Sequence, residues 1–178
     1  MTEKIHQTNY SPAHIANFFI WKADEEDIKN ITLLKLIKLV YFAYGWYLAV
    51  YNKKLFDEKI EAWRYGPVIP SIYHEFKEFG NSPVCRYAVE FVPETGEFDY
   101  PIIDKNDSDA IQVLEAVWNV YKNRDGTQLS RLTHDANSPW SYSYVKDTNK
   151  EISDSLIKKR AKDAILKYQN FNNSDKSQ

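Results

Sequence analysis

The stretch LLKLIKLVYFAYGWYLAVY, Leu33 to Tyr51, is apolar on almost every face that a helix can present. Such a helix has no side to offer to water, so the rest of the chain must be wrapped around it. Thr32 places a capping hydroxyl just before its first turn. Leu33, Leu36, Ile37, Val40, Tyr44, Tyr47 and Leu48 form one stripe, and Leu34, Tyr41, Phe42 and Ala49 cover the adjoining faces. Gly45 in mid-helix gives up about 1 kcal/mol of helix propensity relative to alanine, which implies close approach of another backbone or a bulky ring. At roughly nineteen residues the stretch is long enough to cross a bilayer. Lys35, Lys38, Gly45 and the Tyr and Trp side chains distributed along it favour the core of a soluble protein instead.

A chain of 178 residues suits one hydrophobic core. The expected organisation is a single domain over residues 1–169 and a flexible polar tail over 170–178. A net charge of -2 provides no overall field for nucleic acid or an anionic membrane. The lone cysteine, Cys85, has no internal disulfide partner and reads as a small half-buried residue at the start of a strand. The amino-terminal MTEKIHQTNY lacks the apolar core of a signal peptide, so a cytoplasmic location is expected. Aromatic residues are the outlier, with 13 Tyr, 9 Phe and 5 Trp, a supply that serves cores and protein interfaces alike.

Further helices follow from caps and spacing. Ser11-Pro12 starts a first helix to about Asp24, with Ile15, Phe18 and Phe19 inward. Pro70 opens another to Phe79, closed by Gly80. A fourth spans about Asp109 to Asn123 and is ended by Gly126, after which Thr127 caps a short helix through Leu129 and Leu132. A last helix from about Ser153 to Tyr168 turns Ile157 and Ala161 inward and leaves a basic outer face, Lys158, Lys159, Arg160, Lys162 and Lys167. Tyr87 to Val92 and Glu97 to Tyr100, joined by Pro93-Glu94-Thr95-Gly96, read as a hairpin and as the only β-structure. The fold class expected is therefore mainly α, a compact helical domain around a central apolar helix with one small antiparallel β-hairpin.

Between the central helix and the next lies AWRYGPV, Ala62 to Val68. Glycine permits a bend that a side chain would forbid and proline fixes the following φ, so Trp63 is aimed by a rigid corner and Arg64 and Tyr65 are left to face a partner. A later segment, LTHDANSPW, ends on a second proline-fixed tryptophan, Trp140.

Catalytic and metal chemistry find little support. His6, His14, His74 and His134 are scattered, with no Cys or His at metal-ligand spacing, and no phosphate-binding glycine loop or nucleophile elbow is present. His134-Asp135 is the most suggestive polar pair, but no nucleophile accompanies it, and His134 reads as bonding backbone in the loop that positions Trp140. No enzyme activity, cofactor or metal is expected. Lys35 and Lys38 read as snorkelling stems with solvated heads, as partners of Asp57 or Glu61 near the corner, or as contacts of an acidic partner. The acidic run Asp24-Glu25-Glu26-Asp27 reads as a solvated helix end.

Ile31 to Ala49, Leu55 to Phe76 and Leu129 to Trp140 together resemble the Panacea domain, the SocA-like antitoxin domain of bacterial and phage-encoded proteins. The family's Lys-Leu-x-Lys-Leu core falls on Lys35, Leu36, Lys38 and Leu39, and its Ala-Trp-x-x-Gly-Pro-Val on Ala62, Trp63, Gly66, Pro67 and Val68. The later motif falls on Thr133, His134, Pro139 and Trp140. The resemblance implies an antitoxin-type binding module that neutralises a cognate toxin encoded nearby, with Arg64, Tyr65, Asp135, Asn137 and Trp140 as candidate contacts. Lys35, Lys38, Trp63, Gly66, Pro67, His134 and Pro139 would then serve the scaffold. The alternative is a phage or mobile-element accessory protein with a nucleic-acid-binding or enzymatic role.

Overall fold

Burial of the central helix dictates the architecture. In the computed structural model, which describes residues 6, 7 and 10–175, helix α2 (Leu33–Tyr51) is surrounded by α1 (Pro12–Glu25), α4 (Ser108–Tyr121), α5 (Gly126–Thr133) and α7 (Asp154–Asp175). Helices α3 (Pro70–Phe76), which runs on as a 3-10 turn to Phe79, and α6 (Pro139–Ser143) complete the helical set among the described residues. Helix α2 is long and apolar enough to cross a membrane, yet 78% of its apolar stretch is buried inside the fold. Thr32 accepts a hydrogen bond from the Lys35 amide at 3.3 Å, and Asn52, in the left-handed conformation, closes the other end through its amide on the Leu48 carbonyl.

The glycine in mid-helix is explained by α7. A side chain on Gly45 would sit 3.2 Å from Ile157 Cγ2 and 3.4 Å from Ala161 Cβ, so its absence lets the two helices close. Gly126 has a different role from the helix stop expected of it. It is the first residue of α5, where a Cβ would lie 2.9 Å from the Lys35 amide nitrogen of α2. The cap is Asp125, not Thr127: its carboxylate accepts from the Gln128 amide at 2.8 Å, while Gln128 Oε1 accepts from the Asp125 amide at 2.9 Å.

Three two-stranded pairs supplement the helices among the described residues. β1 (His6–Gln7) and β2 (Lys53–Lys54) pair in parallel. β3 (Glu61–Trp63) and β4 (Gly66–Val68) form one antiparallel hairpin, and β5 (Glu90–Val92) and β6 (Glu97–Asp99) a second. The mainly helical class with a central apolar helix is thus the observed one, and the hairpin at β5 and β6 is present. The β3–β4 hairpin adds to it, because strands of three residues leave too little alternation to be read locally.

Three other expectations change. Glu26 is drawn from the acidic run onto α4, accepting from Trp118 Nε1 at 2.9 Å and from Lys122 Nζ at 2.7 Å. Helix α7 continues to Asp175, so the tail expected from Asn170 begins as helix, there being no glycine or proline in that stretch to end it. Residues 176–178 of that tail lie outside the described residues. Cys85 is exposed and precedes β5 rather than starting a strand.

Candidate functional site

The AWRYGPV segment is the β3–β4 hairpin itself, with Trp63 opposite Gly66 and Arg64-Tyr65 as the two-residue turn. The bend therefore falls one step earlier than the Gly-Pro corner expected. Gly66 carries the positive φ, +104°, that lets the chain re-enter the ladder after the turn. Arg64 and Tyr65 are exposed at the tip, and Tyr65 keeps 64% of its surface.

Everything behind the tip is tied down. The outer edge of β3 is covered by the segment leading into α7, with the Ala62 amide on the Lys150 carbonyl at 2.7 Å and the Ile152 amide on the Ile60 carbonyl at 2.8 Å. Ser130 Oγ donates to the Tyr65 carbonyl at 3.0 Å, and Trp140 Nε1 to the Trp63 carbonyl at 2.7 Å. Trp63, half-buried, packs edge-on to Tyr73 at 4.8 Å and donates to Glu61 Oε2 at 2.7 Å. Turn residues that usually fray are thus held by side chains from α5 and α6.

Lys38 reaches this hairpin from below. Its Nζ donates to the Pro67 carbonyl at 2.8 Å, and the side chain is fully buried. Loss of water around the ammonium pulls its pKa down from 10.5 to about 7. Lys35, also buried, donates to Asn30 Oδ1 and to the Lys122 carbonyl, each at 2.7 Å, and desolvation lowers its pKa to about 8. Neither head is solvated, and neither pairs with Asp57 or Glu61. Carbonyls from distant segments, and for Lys35 also the nearby Asn30 amide, take the place of those partners.

His134 C-caps α5 and its ring lies 4.1 Å from Trp140. The 2.6 Å contact between Nδ1 and the Ser130 carbonyl requires the proton on Nδ1, and in the neutral ring that leaves Nε2 as an acceptor. Asp135 does not orient this ring, since its carboxylate pairs with Arg160 of α7. Glu75 pairs with Arg86. The constellation is that of a joint: α5 and α6 are locked to the hairpin by Ser130 and Trp140, with Thr133 and Lys38 packed under Gly66.

Three of the five sequence-derived contact residues divide between two clefts. Arg64 and Tyr65 border a groove of about 860 Å³ that also takes in His134 and Trp63. Asp135 borders a second cleft, between α2, α4 and α7, while exposed Asn137 accepts from Tyr142 OH and Trp140 is half-buried in the joint. The groove adds residues that sequence reasoning passed over, Lys77, Ser130 and Arg131. Arg131 was discoverable, standing three residues before His134 and therefore on the same side of α5. Lys77 was not, because only the tertiary fold sets the end of α3 beside the turn.

The basic face of the last helix is partly spent inward. Lys158 donates to Asn52 Oδ1 and Arg160 pairs with Asp135, so the row of cations is broken by intramolecular contacts.

The chain is similar to known proteins over most of the region that these motifs span. The family model described as antitoxin SocA-like, Panacea domain, matches residues 36–141, which run from the second turn of α2 through the start of α6. Antitoxin SocA of Caulobacter vibrioides (strain NA1000 / CB15N) is 30% identical over 126 residues, 71% of this chain and 66% of that protein. The chain thus spans just under two-thirds of the length of that relative. No solved structure matches the chain.

Proposed function

The chain belongs to the antitoxin SocA-like, Panacea domain family, and from that premise we propose that it binds a protein toxin directly and thereby neutralises it. The observation that carries the reading is the tip of the β3–β4 hairpin. Arg64 and Tyr65 project from a turn whose backbone is fixed by Ser130 and Trp140, and the guanidinium lies over the Tyr65 ring at 5.4 Å. A rigid tyrosine and arginine form the kind of anchor that dominates protein interfaces, because little entropy is lost when they are buried. A stable complex needs roughly 1,200 Å² or more of buried surface, so the tip would be the centre of a larger contact.

Asp135 and Asn137 extend the proposed contact along the loop before α6, and Trp140 supports it from behind. Catalysis has no part in this reading, since inhibition by occlusion needs only affinity.

Co-expression with the product of the neighbouring reading frame tests it. The wild-type chain is expected to restore growth and to co-purify with that product. The Arg64→Ala/Tyr65→Ala double variant is expected to lose at least tenfold in affinity with an unchanged melting temperature. A chain that restores growth against no neighbouring product and co-purifies with none sinks the proposal.

A further inference from the structure

We infer that the groove beside the β3–β4 tip receives an acidic peptide segment carrying aromatic or aliphatic side chains, presented by the toxin. This rests on the antitoxin reading above. The argument begins with charge. Three separate elements each contribute one cation to the groove, Arg64 from the turn, Lys77 from the end of α3 and Arg131 from α5, and buried Lys38 of α2 lies beneath them. None of the described residues lining it is Asp or Glu. Glu61, which accepts from Trp63 Nε1, lies outside the lining.

Some cations elsewhere in the fold are matched with carboxylates, as Lys22 is with Glu25, Arg86 with Glu75 and Lys122 with Glu26, while others, Lys105 and Arg124 among them, stand apart on the surface rather than converging on this groove. Among the described residues, Arg64, Lys77 and Arg131 form no such pair. Several cations converging on one concave surface without a counter-charge raise its potential, and the walls concentrate the field. An incoming carboxylate gains from each of them.

The rest of the lining selects the neighbours of those carboxylates. Trp63, Tyr65 and Tyr73 supply aromatic walls, and Leu33, Leu34 and Ile37 an aliphatic one. A volume of about 860 Å³ is of the size that takes a short segment rather than a folded surface. His134 also lines the groove, and its neutral ring, with Nδ1 bound to the Ser130 carbonyl, keeps Nε2 as an acceptor for a peptide N–H. Lys38 at the floor has one carbonyl acceptor, Pro67, and burial disfavours its charged form. A carboxylate nearby restores that charge.

Mixed polarity distinguishes this from nucleic-acid binding. A phosphate backbone would use the cations but leave the aliphatic wall idle, whereas an acidic-hydrophobic peptide uses both.

The test is selection of random twelve-residue peptides displayed on phage against the full chain. Binders enriched in Asp and Glu interspersed with Leu, Phe or Trp are expected. Synthetic copies should bind the Arg64→Glu/Arg131→Glu variant at least tenfold more weakly and the Lys105→Glu control equally well, with both variants melting as the wild type does. Binding should weaken as salt is raised. Selected peptides that are not acidic, or that bind the double variant undiminished, overturn the inference. Competition separates it from the antitoxin reading. Acidic peptides that fail to displace a toxin the chain neutralises overturn the assignment of the groove to the toxin and leave neutralisation standing. Acidic peptides that bind a chain neutralising nothing sink the antitoxin reading and preserve the groove.

Discussion

The β3–β4 and β5–β6 hairpins are made of the same materials, aromatic residues around a turn that holds one glycine at positive φ, and they end in opposite environments. Around β3–β4 the aromatics are ties: Trp63 packs on Tyr73, and Trp140 reaches across to the Trp63 carbonyl. Around β5–β6 they face water. Phe91 and Phe98, paired across the strands, keep 54% and 70% of their surface, and Ile102 beyond them 75%. The second hairpin is gripped at its base, where buried Asn17 donates to the Ala88 and Pro101 carbonyls and accepts from the Ala88 amide. The difference teaches that aromatic content decides nothing about burial. What decides is whether another element arrives to cover the strand, and for β3 the segment before α7 does so.

The sharpest way to break the comparison is to put the same methyl group into both turns. At Gly66 an added Cβ would lie 2.7 Å from Thr133 Oγ1 and 2.8 Å from Lys38 Nζ, with φ at +104°. Backbone strain and overpacking each cost about 1–3 kcal/mol, so Gly66→Ala should lose about 3–5 kcal/mol in chemical denaturation. At Gly96, with φ +72° and nothing within 4 Å, only the strain remains, and Gly96→Ala should lose about 1–2 kcal/mol. Equal losses at the two sites would show that the first hairpin is no more tightly enclosed than the second.

A second contrast lies in what holds each hairpin from below, an ammonium in one case and a neutral amide in the other. The folded-state pKa of Lys38 is about 7 and that of Lys35 about 8, both below the ordinary 10.5. Between those values the unfolded chain binds more protons than the folded one, so stability rises with pH. Below about pH 7 both states are protonated and the full desolvation penalty is present. Above about pH 10 the sign reverses, because burial raises the phenol pKa of Tyr41 and Tyr44 and the unfolded chain then loses protons first. The Lys38 contribution should lift stability by a few kcal/mol at most between pH 7 and 10, at up to about 1.4 kcal/mol per pH unit. Urea midpoints measured across that range should climb for the wild type and climb less for Lys38→Met. A flat wild-type profile would mean that the ammonium under the first hairpin keeps its water.

How far all this was legible depends on the distance over which each signal acts. The central helix was readable because its information is local, in the all-round apolarity of Leu33 to Tyr51, the Thr32 cap and the small residue at position 45. Even the partner facing Gly45 was implied, although not that it would be α7. The two lysines were misread because a lysine is usually solvated at its tip. What reverses that habit is a carbonyl 29 residues away for Lys38 and, beside the nearby Asn30, one 87 away for Lys35, and no window of sequence contains both ends of those two bonds. Asp125 was a different failure, since its reciprocal bond with Gln128 is local and was eclipsed by the glycine between them. Of the groove, Arg64 and Tyr65 were visible as turn residues of a rigid corner. Lys77 and Arg131 join them only after α3 and α5 have packed, so the convergence of charge had no one-dimensional trace.

The smallest expected effect concerns the exposed face of the second hairpin. Phe98 packs edge-on against Phe91 at 5.5 Å, and both rings remain more than half in solvent. A cross-strand pair of this kind contributes a few tenths of a kcal/mol to about 1 kcal/mol, and serine removes it while leaving the backbone ladder in place. Against that loss, the unfolded chain also exposes the ring, so little burial is forfeited. Phe98→Ser should therefore shift stability by no more than about 0.5 kcal/mol, the range of an ordinary surface substitution. A loss above 2 kcal/mol in the same denaturation measurement would require the Phe98 ring to be covered in solution, and the opposition between the two hairpins would then fail at the residue where it is most pronounced.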